Sequence, residues 1–476
     1  MMVMNRVGWT NRGALADRSG IRGLVLSHLI GIAILLQFVL ERAVTFELPY
    51  NRLVDLPIRL IIVWLLLDRI GRIGRVKVSG WDWLHLFFIS AYGFASVYAD
   101  LFMSRDTGVL GYISWSLQFI QPYFYFLAVR EGLNRRGFRI DIVLRWIIFT
   151  VAVCCAVALL QALDVANLRY HIDEFYQQRK AESQMEGPSA PWQARGVAPH
   201  ANSMAMIILF GMVALVAYIN QRKLGVLEVL AGALFMGTLF ATYSRTGIVT
   251  VGLMGGAFVM LLVLQQRYRA AFLVMFGLVG LLFAFMSAVF AFNIERYQVF
   301  VKGVGVVKKE PSRGLYGVYA RQESFNKAIE LGSKYPITGV SPASALLNRQ
   351  RIVTSSPYAF DGLVLNVFAY AFVQFGVYGL VYLFGILGIC LGFIRYARTK
   401  QVFSASAFFT GVVILATGIT ENSLFTLAPM VIVNVVMAAA LAKVMQRDDV
   451  PARSRLFGFT SPKPLGRAAL ARPEES

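Results

Sequence analysis

Charge is scarce in this sequence and unevenly signed: only 15% of residues are charged, with 46 Lys and Arg against 26 Asp and Glu. Cysteine is nearly absent too. Cys154, Cys155 and Cys390 all lie inside apolar runs. Adjacent cysteines rarely bridge, and with no CxxC and no Cys/His metal spacing the three read as packing residues and no metal is expected. There is no DxD pair, no phosphate-cradling glycine loop and no soluble domain, which excludes a nucleotide-sugar site. No internal repeat of the kind that marks many transporters is present, and no low-complexity tract. A cleavable amino-terminal signal is missing as well. A basic, polar segment leads instead into a run ending in "FVLER", which reads as an uncleaved first span.

What the sequence has is apolar runs. Hydrophobic residues make up 57% of the chain, mean hydropathy is +0.61, and runs of about 20 residues recur along most of it, the length a helix needs to cross a bilayer. The fold expected is all-α, a polytopic helical membrane protein of about twelve transmembrane helices with two extracytoplasmic loops. The spans fall near 22–42, 52–67, 82–101, 108–129, 143–163, 201–219, 224–242, 246–265, 270–292, 376–395, 403–420 and 423–443. The connections "DRIGRIGRVKVSG", "REGLNRRGF", "NQRK", "QRYR" and "RYARTKQ" are short and basic. Together with the termini they form the cytoplasmic side by the positive-inside rule. Topology therefore accounts for most of the formal charge of +20, and no nucleic-acid partner is expected. The organisation expected is a cytoplasmic segment 1–21, amino-terminal spans 22–163, an extracytoplasmic loop 164–200, spans 201–292, a large extracytoplasmic loop 293–361, carboxy-terminal spans 362–443 and a basic cytoplasmic tail 444–476.

Four stretches on the outer side carry polar residues with a use. "PWQARGVAPHANSMAMIILFG" places Arg195, Gly196, His200 and Asn202 before the sixth span. "ATYSRTG" places Ser244 and Arg245 in a turn between two spans. "ARQESFNKAIELGSKYPITGVSPAS" carries Arg321, Pro336 and Gly339, with Phe325, Ala328 and Ile329 at helical spacing and Arg321 on the same face. "DGLVLNVFAYAFVQFGVYGLVYLFG" carries Asp361, Asn366, Gly376 and Gly379. Each has a plain alternative: Arg195 as a solvated loop charge, His200 as an interfacial polar residue, Arg245 snorkelling to headgroups, Arg321 on an amphipathic surface helix. Gly252 with Gly256, and Gly388 with Gly392, read as small residues that pack helices. Three arginines on the side where topology disfavours them nevertheless ask for a shared purpose. A rigid, always-charged guanidinium suits two phosphate oxygens, and a lipid diphosphate at the outer leaflet needs such donors just outside the hydrocarbon.

In their order, "RG…PHANSMA", "ATYSRTG", "R…AIELGSKYPITGV" and "LNVFAYAFVQFGVYG" resemble the O-antigen ligase and O-antigen (Wzy-type) polymerase superfamily over about residues 190–440. The resemblance implies a metal-independent, inverting glycosyltransfer without a cofactor, at the periplasmic face of the bacterial inner membrane. The donor it implies is an undecaprenyl-diphosphate-linked glycan, with a hydroxyl of an acceptor glycan as nucleophile, membrane lipids around both, and a chain-length regulator as a further partner. The family's arginine positions fall on Arg195, Arg245 and Arg321. Ligases of this family usually carry a histidine-asparagine pair nine residues before a GxxG. Here Leu365 and Asn366 stand at that place, so the asparagine is present and the histidine is not, which favours a polymerase of O-antigen or exopolysaccharide over a ligase. Asp361 is the first choice as general base, because it lies near the missing histidine. His200 and Glu421 are the other candidates, and Asn202, Ser244 and Asn366 complete the substrate-binding set.

A lipid-linked oligosaccharide transporter is the competing class. It would place charged residues deep in several spans and relate its halves by a repeat. A structural subunit of a polysaccharide export complex would leave the three outer arginines without a common role.

Overall fold

The computed structural model describes residues 10–40, 56–70, 78–102, 109–168, 171, 194–198, 201–221, 225–291, most of 325–339, 366–399, 403–418 and 427–448. The regular elements are helices, with no strand among the described residues. In chain order they are α1 (Thr10–Leu40), α2 (Leu56–Ile70), α3 (Gly80–Phe102), α4 (Val109–Leu133), α5 (Ile140–Leu163), α6 (Ala201–Ile219), α7 (Val226–Ala241), α8 (Arg245–Leu264), α9 (Tyr268–Ala291), α10 (Val367–Gly392), α11 (Ile394–Arg398), α12 (Ser404–Gly418) and α13 (Leu427–Asp448). Every predicted span meets one of these helices. Two begin well before hydropathy placed them: α1 takes in the polar residues from Thr10, and α10 starts nine residues before the predicted 376.

Five described segments are long and apolar enough to cross a membrane: Gly20–Val39, Ile140–Leu163, Ala201–Ile219, Arg245–Leu264 and Val367–Arg398. Val226–Ala241, Ser404–Gly418 and Ala428–Val444 are shorter apolar helices of the same bundle. The protein is a helical membrane protein.

The bundle is built around α6 and α13. Both are apolar along most of their length, Ala201–Ile219 and 428–442, and buried there on nearly every face, as a helix without a polar stripe must be when other helices surround it. α6 packs on α5, α7, α12 and α13, while α13 packs most closely along α4. α10 lies between α12 and α3. α8 packs on α12 and α6, and α9, largely exposed over its described first half, rests chiefly on α8.

At one end of the bundle, ion pairs tie helix ends together. Arg130 pairs with Asp82 at 2.6 Å and Arg135 with Asp68 at 2.7 Å. Asp82 also accepts from Tyr123 and from the amide and hydroxyl of Ser79, so this buried carboxylate is fully surrounded by donors. The buried free cysteines, Cys154, Cys155 and Cys390, are packing residues as expected.

The glycine reading is corrected. A Cβ at Gly252, Gly256, Gly388 or Gly392 would meet nothing, so these pairs do not seat a neighbouring helix among the described residues. Close approach falls at other glycines: Gly211 against Val151, Gly247 against Leu239 and Ala205, Gly385 against Leu84, and Gly411 against Cys390 and Leu391.

Candidate active site

The turn between α7 and α8 is three residues long, and each residue has a task. Thr242 ends α7, its hydroxyl donating back to the Leu239 carbonyl at 2.7 Å. Tyr243 takes the left-handed region at φ 52°. The amide of Ser244 then donates to the Thr242 hydroxyl, and the buried Ser244 Oγ accepts from the Gly247 amide at 3.1 Å as the N-cap of α8. Arg245 is the first residue of α8 and is exposed. Gly247 keeps this helix start close to α6: a side chain there would press on Ala205 and Leu239. The α8 start therefore lies against the α6 start, whose first turn carries the half-buried Asn202.

The Arg195 stretch is laid onto the same place. The Ala194 amide donates to the Ala241 carbonyl, the last residue of α7, at 2.9 Å. One residue on, the amides of Arg195 and Gly196 both donate to Oε1 of Gln161, at 3.0 and 2.9 Å. Gly196 has φ +57°, and a Cβ there would run into Ala158 and the Cys154 carbonyl of α5. Residues 194–198 thus form a buried turn, closed by the Ala198 amide on the Arg195 carbonyl, clamped between α5 and the α7–α8 corner. Arg195 is buried at 4% exposure, which removes the reading of it as a solvated loop charge. Gln161 was missed by sequence reasoning. The signal available was a lone amide in the last turn of an apolar span.

A second junction joins the other two stretches. α10 is broken at Gly376, where φ is +61° and ψ −146°, values that residues with a Cβ rarely adopt. Into this break docks the "YPITG" turn. The Val377 amide, freed by the break, donates to the Pro336 carbonyl at 2.8 Å, and the Gly339 amide donates to the Tyr335 carbonyl. Gly339, also left-handed at +64°, lies on the backbone of Gln374, Phe375 and Gly376, while Gly376 in turn lies on the carbonyls of Pro336 and Ile337. Two glycines in contact let two backbones meet without side chains between them. Ala328, Ala369 and Val373 form a small apolar cluster that completes the seat. Asn366 caps α10, its Oδ1 accepting from the amides of Phe368 and Ala369 at 2.9 and 3.1 Å.

Of the predicted site residues, the structure brings Arg195, Ser244, Arg245 and Asn202 to one corner and places Asn366 at the head of α10. Arg321, His200, Asp361 and Glu421 lie outside the described residues.

At the corner, two arginine-bearing stretches meet at the amino end of an apolar helix. A helix start presents unpaired amides and the positive end of its dipole, and an arginine there adds charge of the same sign. Such a place suits an anion.

Residues 230–384 match the family model described as O-antigen ligase. The matched stretch runs from α7 into α10 and includes both the Ser244–Arg245 corner and the Gly339–Gly376 junction. It meets the resemblance drawn from the sequence, to the O-antigen ligase and polymerase superfamily. No curated protein matches the chain.

Proposed function

For a membrane chain whose residues 230–384 match the O-antigen ligase family model, we propose that it polymerises a cell-surface polysaccharide, transferring an undecaprenyl-diphosphate-linked glycan to another lipid-linked repeat unit at the extracytoplasmic face of the inner membrane. The observation that carries this reading is the pinning of the Arg195 turn to the Ser244–Arg245 corner through Ala241 and to α5 through Gln161. Two guanidinium groups on fixed backbones give a preorganised seat for a diphosphate.

In the reaction, an acceptor hydroxyl oxygen forms a bond to the anomeric carbon of the donor while the bond from that carbon to the diphosphate breaks. Charge gathers on the departing undecaprenyl diphosphate, and Arg195, Arg245 and Arg321 stabilise it. No metal is needed if the arginines carry that load. The acceptor's proton passes to a general base, a contribution of typically 10²- to 10⁴-fold, with Asp361 in that role.

The family description itself favours a second reading, a ligase that passes the glycan to a different acceptor lipid. Leu365 in place of the ligase histidine favours the polymerase. A transporter finds little support, because the interhelical pairs Arg130–Asp82 and Arg135–Asp68 lie near helix ends rather than deep in spans. Purified chain incubated with lipid-linked repeat units tests the proposal. Lengthened glycan with release of undecaprenyl diphosphate is expected, and transport of the intact lipid without bond exchange would overturn it.

A further inference from the structure

α3 lies outside the stretch that matches the family model, yet one of its faces is fitted to the break in α10. Trp81, His85, Phe88 and Tyr92 follow one another at spacings of four, three and four, so they share a face, and all four are buried. Trp83, Leu86 and Phe87 between them are exposed. The buried face meets α10 on both sides of Gly376. Before the break, the Phe375 ring makes edge contacts with Phe88 and Tyr92, at centroid distances of 5.0 and 5.4 Å. After it, the Tyr382 ring stacks on Phe88 at 4.1 Å. Phe88 therefore touches both halves of the broken helix.

Tyr382 is held a second time, by His85. Nδ1 of His85 lies 2.9 Å from the Trp81 carbonyl, which can only accept, so this nitrogen carries the proton. Nε2 of the neutral ring then accepts from the Tyr382 hydroxyl at 3.1 Å. α3 is anchored elsewhere too. The Trp81 indole donates to Asn434 of α13 at 3.0 Å, and Asp82 accepts from Tyr123 and Arg130 of α4.

A break in a helix needs support of this kind. A continuous helix fixes its own direction through its i to i−4 bonds, but the bend at Gly376 sits on a residue that many conformations suit. Within a bilayer, packed surfaces and interhelical hydrogen bonds must set the angle, because lipid tails are as apolar as the helices. The Pro336 carbonyl takes up the Val377 amide, and α3 holds the rings of Phe375 and Tyr382. Phe375 joins the two supports, since its backbone also carries Gly339.

We infer that α3 is the splint that fixes the bend of α10, with His85 and Phe88 as positioning residues for the Gly339–Gly376 junction of the candidate site. Its effect on catalysis rests on the polysaccharide-transferring reading above.

Tyr382→Phe and His85→Leu test this, since the first keeps the ring on Phe88 and removes the donor, and the second removes the acceptor. In each, hydrogen exchange across 372–380 should quicken while protection in α6 and α13 is unchanged. With the lipid-linked repeat fraction from cells deleted for this chain as substrate, kcat should fall on the order of tenfold at little change in KM, the signature of a displaced group rather than a lost substrate contact. His85→Gln, whose Oε1 can stand in for Nε2, should restore most of both. The double variant should match either single one, because both act through one bond. Wild-type exchange and kcat in the single variants, with only a lower unfolding temperature, would overturn the inference, as would additive effects in the double variant. A wild-type chain that transfers no glycan removes the underlying reading, and the exchange measurement then still decides whether α3 holds the bend.

Discussion

Arg245 occupies the position on α8 where a positive side chain works against its own helix. Cations are disfavoured at a helix amino terminus by about 0.3–1 kcal/mol, and Ser244 already caps this end. The arginine is therefore not there for the helix. Arg245→Lys keeps the charge and the insertion signal but loses the fork, so transfer should fall at least tenfold at equal membrane levels if the fork holds two phosphate oxygens. Wild-type turnover in the lysine variant would leave Arg245 as a headgroup snorkeler. Arg195 differs in being buried, on a turn whose two amides depend on Gln161. Gln161→Leu leaves both amides without their acceptor, at a cost of about 1–3 kcal/mol each. Thermal unfolding in detergent should show the loss, with transfer falling alongside as the Arg195 turn moves. Unchanged stability and transfer would mean that the turn is held by the Ala194–Ala241 bond alone.

At the scale of elements, the broken α10 and the turn docked into it form one device. Gly376→Ala and Gly339→Ala each set a Cβ against backbone and force a left-handed alanine, about 1–3 kcal/mol of strain before any clash. The expected outcome is undocking rather than unfolding: faster hydrogen exchange across 332–339, protection unchanged in α6 and α13, and loss of transfer. Uniformly faster exchange would instead make the break a general folding requirement. How much of this was legible follows from what hydropathy can report. The spans were legible because a bilayer leaves no choice for a run such as 201–219. The break at Gly376 was not, since "FVQFGVYG" is as apolar as a continuous helix and the left-handed glycine shows only in the backbone. Gly252 and Gly256 misled for a related reason. Spacing of four places two small residues on one face, but whether a neighbour faces them depends on the whole packing, and here the close contacts went to Gly247 and Gly255. For the candidate site, "SRTG" marked the turn between α7 and α8, whereas Gln161 and Gln374 were single amides in apolar runs whose partners, or lack of them, exist only in three dimensions.

For the whole molecule, we propose from charge asymmetry that both termini and the basic turns lie inside and the arginine corner outside. Cysteine labelling tests this at two exposed residues: Lys334→Cys should react with an impermeant reagent in spheroplasts, and Arg136→Cys only after the membrane is opened. The reverse pattern would sink the topology and the enzyme reading together. On the proposed reading, the next question is which acceptor takes the glycan. A polymerase must hold two lipid-linked glycans beside the outer leaflet, one whose diphosphate leaves and one whose hydroxyl attacks. A ligase needs one such lipid and a chemically different acceptor. The two therefore leave different residues when the chain is removed. Deletion of a polymerase leaves single repeat units on carrier lipid or on the outer acceptor and no polymer. Deletion of a ligase leaves polymer of normal length stranded on undecaprenyl diphosphate. Leu365 at the ligase histidine position predicts the first pattern. Leu365→His in the intact chain should not restore polymer transfer to the outer acceptor when the cell's own ligase is missing. If it does, or if stranded polymer is what the deletion leaves, the chain is a ligase whose base lies elsewhere than the histidine position.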